Sequence, residues 1–454
     1  MGPSERLRDY CREVSGYIRW KRIRPAVEAE IEDHLQDQRD AYMAAGDDEE
    51  TAAGRAIAQM GDPALVGRAL DQTHRPRPQW FLAGLTGLLM LLGLAMNCFV
   101  LRPAPGLLVV PYFLPYALAF GVFLCFYFMD FSQLGRHGWT LYGLVLAFAA
   151  LGILLGEWGP GSLVLAVGRL RMRLSYLALV FPAAYALAVY RMRSMGLPGI
   201  LLGGIGYLPP AVILVCIPCL SGLILYSIAA LGTLCLAIGR GWFGPNRRRQ
   251  VLVISALLAG ALLCLAVLGR RYLSGRLGIL LHPEQDRLGA GYVYCMIRDI
   301  LSESVWWGTG GVPEWVGSVE LLPNLRTDFA LVYLAHRFGF AAWLGMAALM
   351  AVFSAVGVRK ALGEGSMLGS LLALAAALTL AVQAGSYLIC SLGYGLFSPL
   401  SLPFISDGLG ALLLNAALTG LMLSVFRTGE AYRDRPLPNG EVCGRRSAWE
   451  PPCI

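Results

Sequence analysis

The chain has 454 residues, 56% of them hydrophobic, a formal net charge of +7 at pH 7 and a mean hydropathy of +0.58. Apolar runs about 20 residues long recur along it, the length that crosses a bilayer's hydrocarbon core. These values exclude a soluble globular protein, and no nucleic-acid partner is expected; the expected fold class is all-α, a polytopic membrane protein preceded by a small cytoplasmic helical bundle.

Residues 1–79 hold 15 of the 30 acids and 12 of the 37 bases, so this head is net −3 and the remainder net +10. It is polar and helix-patterned where a cleavable signal would be short and apolar, and is expected to stay in the cytoplasm. Val27, Ile31, Leu35 and Tyr42 recur at helical spacing and mark one apolar stripe. Asp47 and Asp48 start the next helix, Gly61 stops it, and Asp62-Pro63 starts another. The run Arg75-Pro76-Arg77-Pro78 stiffens the entry into the membrane.

Ten spans are expected, at 80–101, 108–129, 138–156, 174–190, 198–217, 219–239, 250–268, 329–357, 366–390 and 407–426. With the head inside, the loops at Arg191–Arg193, 239–250 and Arg359-Lys360 and the tail from Arg427 all fall inside and are all basic, as the positive-inside rule requires. The expected domains are thus 1–79, a membrane domain at 80–430 and a cytoplasmic tail at 431–454, with both termini inside the cell.

Two outer segments break the pattern. Residues 157–173 read as a loop carrying Arg169, Arg171 and Arg173. Residues 269–328 hold seven acids with Trp306, Trp307 and Trp315, and a loop of that length points to function. The indole rings suit a fold lying on the outer leaflet. Cys295 falls there without a loop partner, and the other cysteines sit mostly in apolar spans, so no disulfide framework is expected. Cys216 and Cys219 have redox spacing but neither a second pair nor a nearby His.

At the end of the long loop, Thr327 and Asp328 precede an apolar run. Either residue could cap the helix N-terminus, yet ionisable groups at membrane depth are functional candidates in their own right. Glu284 and Asp286 either hold a divalent cation or shape a turn before Gly289 and Gly291, the turn being preferred. Ser406 and Asp407 stand at an ordinary cap position before the last span.

These residues also carry a resemblance. "LPNLRTDF…LAHRFGF" (322–340) resembles the "PE-x-x-TDF…AEE-x-GF" signature of the SEDS family (FtsW, RodA, SpoVE). "HPEQDRLGAGY" (282–292) is similar to the "P-x-x-D-x-x-G-x-GY" segment of that family's outer loop, and "LSLPFISDGLG" (400–410) to its "LPLPF-x-SYGGSS". Residues 218–222 faintly echo "PDLGT". The head is similar to the helical prefix domains found before some bacterial permeases.

The resemblance implies ten spans and peptidoglycan polymerisation from lipid II (undecaprenyl-pyrophosphate-linked disaccharide peptide) on the outer face of the bacterial cell membrane. It implies a role in division, elongation or sporulation and a class B penicillin-binding transpeptidase as partner. The family's catalytic carboxylate carries over to Asp328. Arg326 and the Arg169, Arg171 and Arg173 cluster would hold the lipid pyrophosphate or else face headgroups, since guanidinium binds phosphate bidentately. Thr327, Asp286, Ser406 and Asp407 complete the expected substrate site, with a divalent cation as an open cofactor.

The departures are specific. The signature's Glu is Asn324, its two later acids are His336 and Arg337, and the Tyr of "SYGGSS" is Asp407 with Leu409 at its second Gly. Of the third-to-fourth-span loop only Gly168 and Ser175 match. A scaffold that regulates a penicillin-binding protein, or a transporter of a lipid-linked precursor, is the alternative to the polymerase.

Overall fold

The structure is a computed structural model. It describes residues 2–21, 23–100, 110–159, 162–167, 170–217, 219–244, 246–256, 278–395 and 400–429. The chain divides into two compact units, Met1–Pro78 with 427–429, and Gln79–Phe426.

Among its described residues the first unit contains four helices, Pro3–Gly16, Arg24–Ala44, Glu49–Met60 and Pro63–His74. Leu7, Val14, Val27, Ile31 and Leu35 pack with Ala53 and Ala56 in its core. Tyr42, expected on the same stripe, is half-buried and bonds Gln59 instead. Asp48 accepts from Thr51 N–H at 3.2 Å and Asp62 from Ala64 N–H at 2.8 Å, each capping its helix.

In the second unit, eight helices among the described residues are long and apolar enough to cross a membrane. They are Trp80–Cys98, Gly138–Leu155, Leu174–Arg191, Gly196–Cys216, Leu220–Gly239, Phe340–Gly363, Met367–Ser391 and Leu409–Thr428. A shorter apolar helix occupies Phe113–Phe128, and most of the expected span at 250–268 lies outside the described residues. Met367–Ser391 is the central helix, packed on Leu177–Arg191, Leu220–Gly239 and Phe340–Gly363.

One expected span is broken. Residues 329–357 divide into Ala330–Phe338 and Phe340–Gly363 at Gly339, which has φ +92°. A Cβ at Gly339 would lie 2.4 Å from the Trp306 carbonyl oxygen, so the position takes only glycine. The long loop is stitched there: Phe340 N–H donates to Val305 O at 3.0 Å and Gly310 N–H to His336 O at 2.8 Å. Loop and helix break are therefore one local structure, invisible to a hydropathy window.

The segment 157–173 is also not a plain loop. It forms a three-stranded antiparallel sheet, β1 (Glu157–Gly159), β2 (Ser162–Val167) and β3 (Leu170–Arg173), with Val164 opposite Arg173 and Ala166 opposite Arg171. The short apolar run of β2 pairs on both sides, which satisfies its backbone. Cys295 lies on the helix Tyr292–Ser302 and is buried, not exposed in a loop.

The helix Gly196–Cys216 contains Pro209 and Pro210. Proline removes the N–H that would serve the carbonyl four residues earlier. Tyr142 OH donates to that carbonyl at Gly206, and Tyr185 OH donates to Gly203 O at 3.1 Å. Tyr207 and Ser227 share a further hydroxyl bond at 2.6 Å, and Tyr226 OH donates to Tyr207 O at 3.3 Å.

Candidate active site

The turn before Ala330–Phe338 is built on Asn324, whose φ of +55° lies in the left-handed region that Asn tolerates. Its carbonyl accepts from Thr327 N–H at 3.1 Å and Asp328 N–H at 2.8 Å, and the Thr327 hydroxyl donates to it at 3.3 Å. The residue at the signature's Glu position therefore shapes the turn. The N-cap of the following helix is Phe329, whose side chain makes no capping bond, and the Tyr387 hydroxyl lies by the N–H groups of Ala330 and Leu331. Asp328 is thus not held in place by helix capping.

The Asp328 residue is half-buried, and burial raises its pKa above the ordinary value; the Arg173 guanidinium opposes that rise, with smaller support from Thr327 and Asn324. Arg173 ends β3 and also lies beside the hydroxyl of Tyr176, on the next turn. Tyr176 senses both Asp328 and Asp407, and its hydroxyl lies against Gly408. From the central helix, the fully buried Tyr387 and the buried Cys390 also feel the Asp328 charge, and the Tyr387 hydroxyl lies near Ser406.

Arg326 is engaged with Asp407: Nη2 lies 3.2 Å from Oδ2, and Asp407 N–H donates to Arg326 O at 3.0 Å. The last-span segment and the turn carrying Asp328 are joined by both contacts. Ser406 is buried, with Oγ accepting from Leu402 N–H at 2.7 Å.

Next to them is a cleft lined by Asn97, Pro115, Tyr116, Ser406, Asp407, Gly408 and Leu412. Asn97 sits in a π-helical turn, Met96–Val100, a form often found at functional sites. Asn97 Nδ2 donates to Ile405 O at 2.9 Å, and Tyr116 OH donates to Phe404 O at 2.8 Å. Gly93 makes room: a Cβ there would lie 1.9 Å from the Phe404 carbonyl oxygen.

The structure thus gathers Arg173, Arg326, Thr327, Asp328, Ser406 and Asp407. Arg169 lies outside the described residues, and Arg171 is placed only by its strand register. Asp286 lies in the long loop, where Oδ2 accepts from Ala290 N–H at 2.8 Å and shapes the turn before Gly291. Glu284 pairs with His282 at 3.1 Å, and hydrogen bonding at its own backbone and from His282 lowers its pKa. Arg298 donates to Leu280 O at 2.9 Å and Gly393 O at 3.2 Å. Among the described residues no group of three or more His, Cys, Asp or Glu could hold a metal ion. His336 is buried, and burial lowers its pKa against the opposing pull of Glu320.

Asn97, Tyr116, Tyr176 and Tyr387 do not stand out in the sequence. Their signal is a polar atom in an apolar helix or at its end, one that many satisfied core residues share.

Residues 76–430 match the family described as cell cycle protein, that of FtsW, RodA and SpoVE. A probable peptidoglycan glycosyltransferase FtsW of Thioalkalivibrio sp. (strain K90mix) is 28% identical over 178 residues, 38% of this chain and 43% of the relative. A protein of the same description from Alteromonas naphthalenivorans is 24% identical over 306 residues, 64% of this chain and 58% of the relative. The chain spans about half the length of the curated relatives it matches. Among solved structures, a chain from a peptidoglycan synthase complex, described for its coordination of polymerization and crosslinking, aligns with a TM-score of 0.62 at 23% identity, covering 79% of this chain and 99% of that one. The rod shape determining protein RodA of Thermus thermophilus aligns with a TM-score of 0.52 at 21% identity, covering 79% and 98%. At such identities the likeness is one of fold.

Proposed function

Because this chain belongs to the FtsW, RodA and SpoVE family of cell cycle proteins, we propose that it is a membrane glycosyltransferase polymerising peptidoglycan glycan strands from lipid II at the outer face of the bacterial membrane. The observation that carries this reading is Asp328, a half-buried carboxylate beside Arg173 that is not the N-cap of the helix after it.

Asp328 is the general base. It takes the proton of the acceptor's GlcNAc 4-hydroxyl, and that oxygen bonds the anomeric carbon of the donor glycan. The bond to the lipid pyrophosphate breaks, and the departing phosphate carries away the negative charge. Arg173, with Arg169 and Arg171 of the same segment, supplies cations for that charge, where fixed charge of opposite sign stabilises the transition state. Thr327 and Ser406 border the acceptor.

The head and tail lie in the cytoplasm and residues 269–328 outside, and a class B penicillin-binding transpeptidase packs against the spans. The departures at Asn324, His336 and Arg337 favour one second reading, a scaffold that regulates such a transpeptidase without polymerising.

Polymerisation of lipid II by purified protein, with and without the transpeptidase, decides between them. Asp328→Asn keeps size and removes the base, and should lower the rate ~100- to 10,000-fold. Parent-level polymerisation by this variant would sink the assignment of Asp328, and an inactive parent would leave the scaffold.

A further inference from the structure

We propose that the membrane unit carries a binding surface for an anionic phospholipid, at the place where the spans Gly138–Leu155, Leu174–Arg191, Gly196–Cys216 and Leu220–Gly239 end together. The lipid headgroup meets exposed arginines there, and an acyl chain lies along the helix Gly196–Cys216. This surface goes beyond polymerisation and does not depend on Asp328.

Three short segments form it, and the contacts between them are specific. A Cβ at Gly138 would lie 2.9 Å from Arg191 Cγ, which sets the segment of the exposed Arg136 and His137 against that of the exposed Arg191. Ser194 N–H donates to Trp242 O at 3.0 Å and joins the loop after Arg191 to the loop after Gly239. In this second loop Trp242 and Phe243 are buried and Gln250 Nε2 donates to Phe243 O at 3.0 Å. The turn is thereby anchored, and it leaves Arg247, Arg248 and Arg249 exposed. Arg240 is turned to another task, donating from Nη1 to Glu364 O at 2.7 Å.

Segments 131–140, 187–199 and 239–250 contain no Asp or Glu. Among the described residues, Arg136, Arg191, Arg247, Arg248 and Arg249 make no ion pair with a carboxylate. Cations gathered without acids repel one another, and an anion among them relieves that repulsion. Guanidinium suits phosphate in particular.

Two further features favour a phospholipid over an acidic protein or free phosphate. Trp139, 43% exposed, opens the span Gly138–Leu155 with its ring 6.2 Å from Tyr142, and indole rings favour the headgroup level of a bilayer. An exposed apolar stripe, Leu197, Leu201, Ile205 and Leu208, follows one face of the helix Gly196–Cys216. It starts where Gly199 packs on Met192 O and the Phe243 ring, inside the arginine-bearing loops. A cationic surface continued by an apolar track matches a ligand with an anionic head and a hydrocarbon tail.

Native mass spectrometry of the delipidated full-length protein, titrated with dioleoylphosphatidylglycerol or dioleoylphosphatidylcholine, tests this without turnover. The parent should retain the anionic lipid at lower concentration than the zwitterionic one. Arg247→Gln, Arg248→Gln and Arg249→Gln together should raise the phosphatidylglycerol concentration for half-occupancy, by roughly fivefold for each arginine lost. Phosphatidylcholine retention at the parent value shows that this variant is folded. Arg136→Gln with Arg191→Gln should weaken the preference likewise, whereas Arg247→Lys, Arg248→Lys and Arg249→Lys together should keep most of it. Dihexanoylphosphatidylglycerol, with its short chains, should bind more weakly, and inorganic phosphate should not displace the dioleoyl lipid. Equal retention of both dioleoyl lipids by the parent overturns the proposal, as does parent-level phosphatidylglycerol binding by the glutamine variants. So do a lysine variant as weak as the glutamine one, short-chain binding as tight as long-chain, and displacement by phosphate alone.

Discussion

The guanidinium of Arg173, at the end of a short β-sheet, faces the carboxylate of Asp328, at the mouth of a helix on the far side of the long outer loop. Burial pushes the Asp328 pKa up and Arg173 pulls it down, with burial the larger effect. One cation thus favours the ionised form of Asp328 against burial.

Arg173→Gln should therefore move the acid limb of the polymerisation profile to higher pH, since the remaining influence of burial favours the protonated carboxyl. Initial rates across about pH 5 to 8 would show it, because this limb reports the base. A limb that stays in place, or moves to lower pH, would remove Arg173 from the account.

Stability carries the opposite sign to activity. A carboxyl whose folded pKa is raised contributes stability fully present below its unfolded pKa and lost as pH rises through the folded value. At neutral pH the ionised Asp328 works against the fold, and Asp328→Asn mimics the protonated form. The inactive variant should unfold at the same temperature as the parent or higher at pH 7, and should lose this advantage in acid. Thermal unfolding in detergent at both pH values checks it.

Gly339→Ala should destabilise the membrane unit by about 1–3 kcal/mol, the cost of forcing a side chain into such a backbone region. The added methyl also meets the Trp306 carbonyl. Limited proteolysis should find residues 303–311 cut faster, since their bonds to the break at Gly339 are lost first.

Tyr116→Phe removes the donor to Phe404 O and should cost about 1–3 kcal/mol by leaving a buried carbonyl unmet. Phe404 has φ +64°, so its strained backbone loses a tether. A lowered unfolding temperature with near-parent lipid II polymerisation is the expected pattern.

A class B penicillin-binding protein should co-purify with this chain in mild detergent. Recovery of the chain alone after crosslinking in its native cells would count against that partner.

The spans were legible because about 20 apolar residues leave few alternatives to a membrane helix. The break at Gly339 was not, since glycine is common in apolar helices and the reason for it, the carbonyl of Trp306, comes from a distant part of the loop. Asp328 could be found from the letters around it, but its environment could not. Arg173 was one of three arginines until the sheet placed it, and nothing near Arg326 in the chain marked its contact with Asp407 from the far end. Such contacts between remote segments have no local signature.

The proline-bearing helix Gly196–Cys216 has a further consequence. Only 28% of its apolar window is buried within the protein. Lipid tails are as apolar as leucine, and packing oil against oil gives little reason for a helix to stay with its neighbours. Its lateral cohesion instead comes through hydroxyls: Tyr142, Tyr185 and Tyr226 reach its carbonyls from three adjacent helices, and Ser227 meets its Tyr207. A competing hydrogen-bond donor, such as a polar detergent or alcohol that reaches those carbonyls, therefore removes the contacts that tie this helix to the bundle.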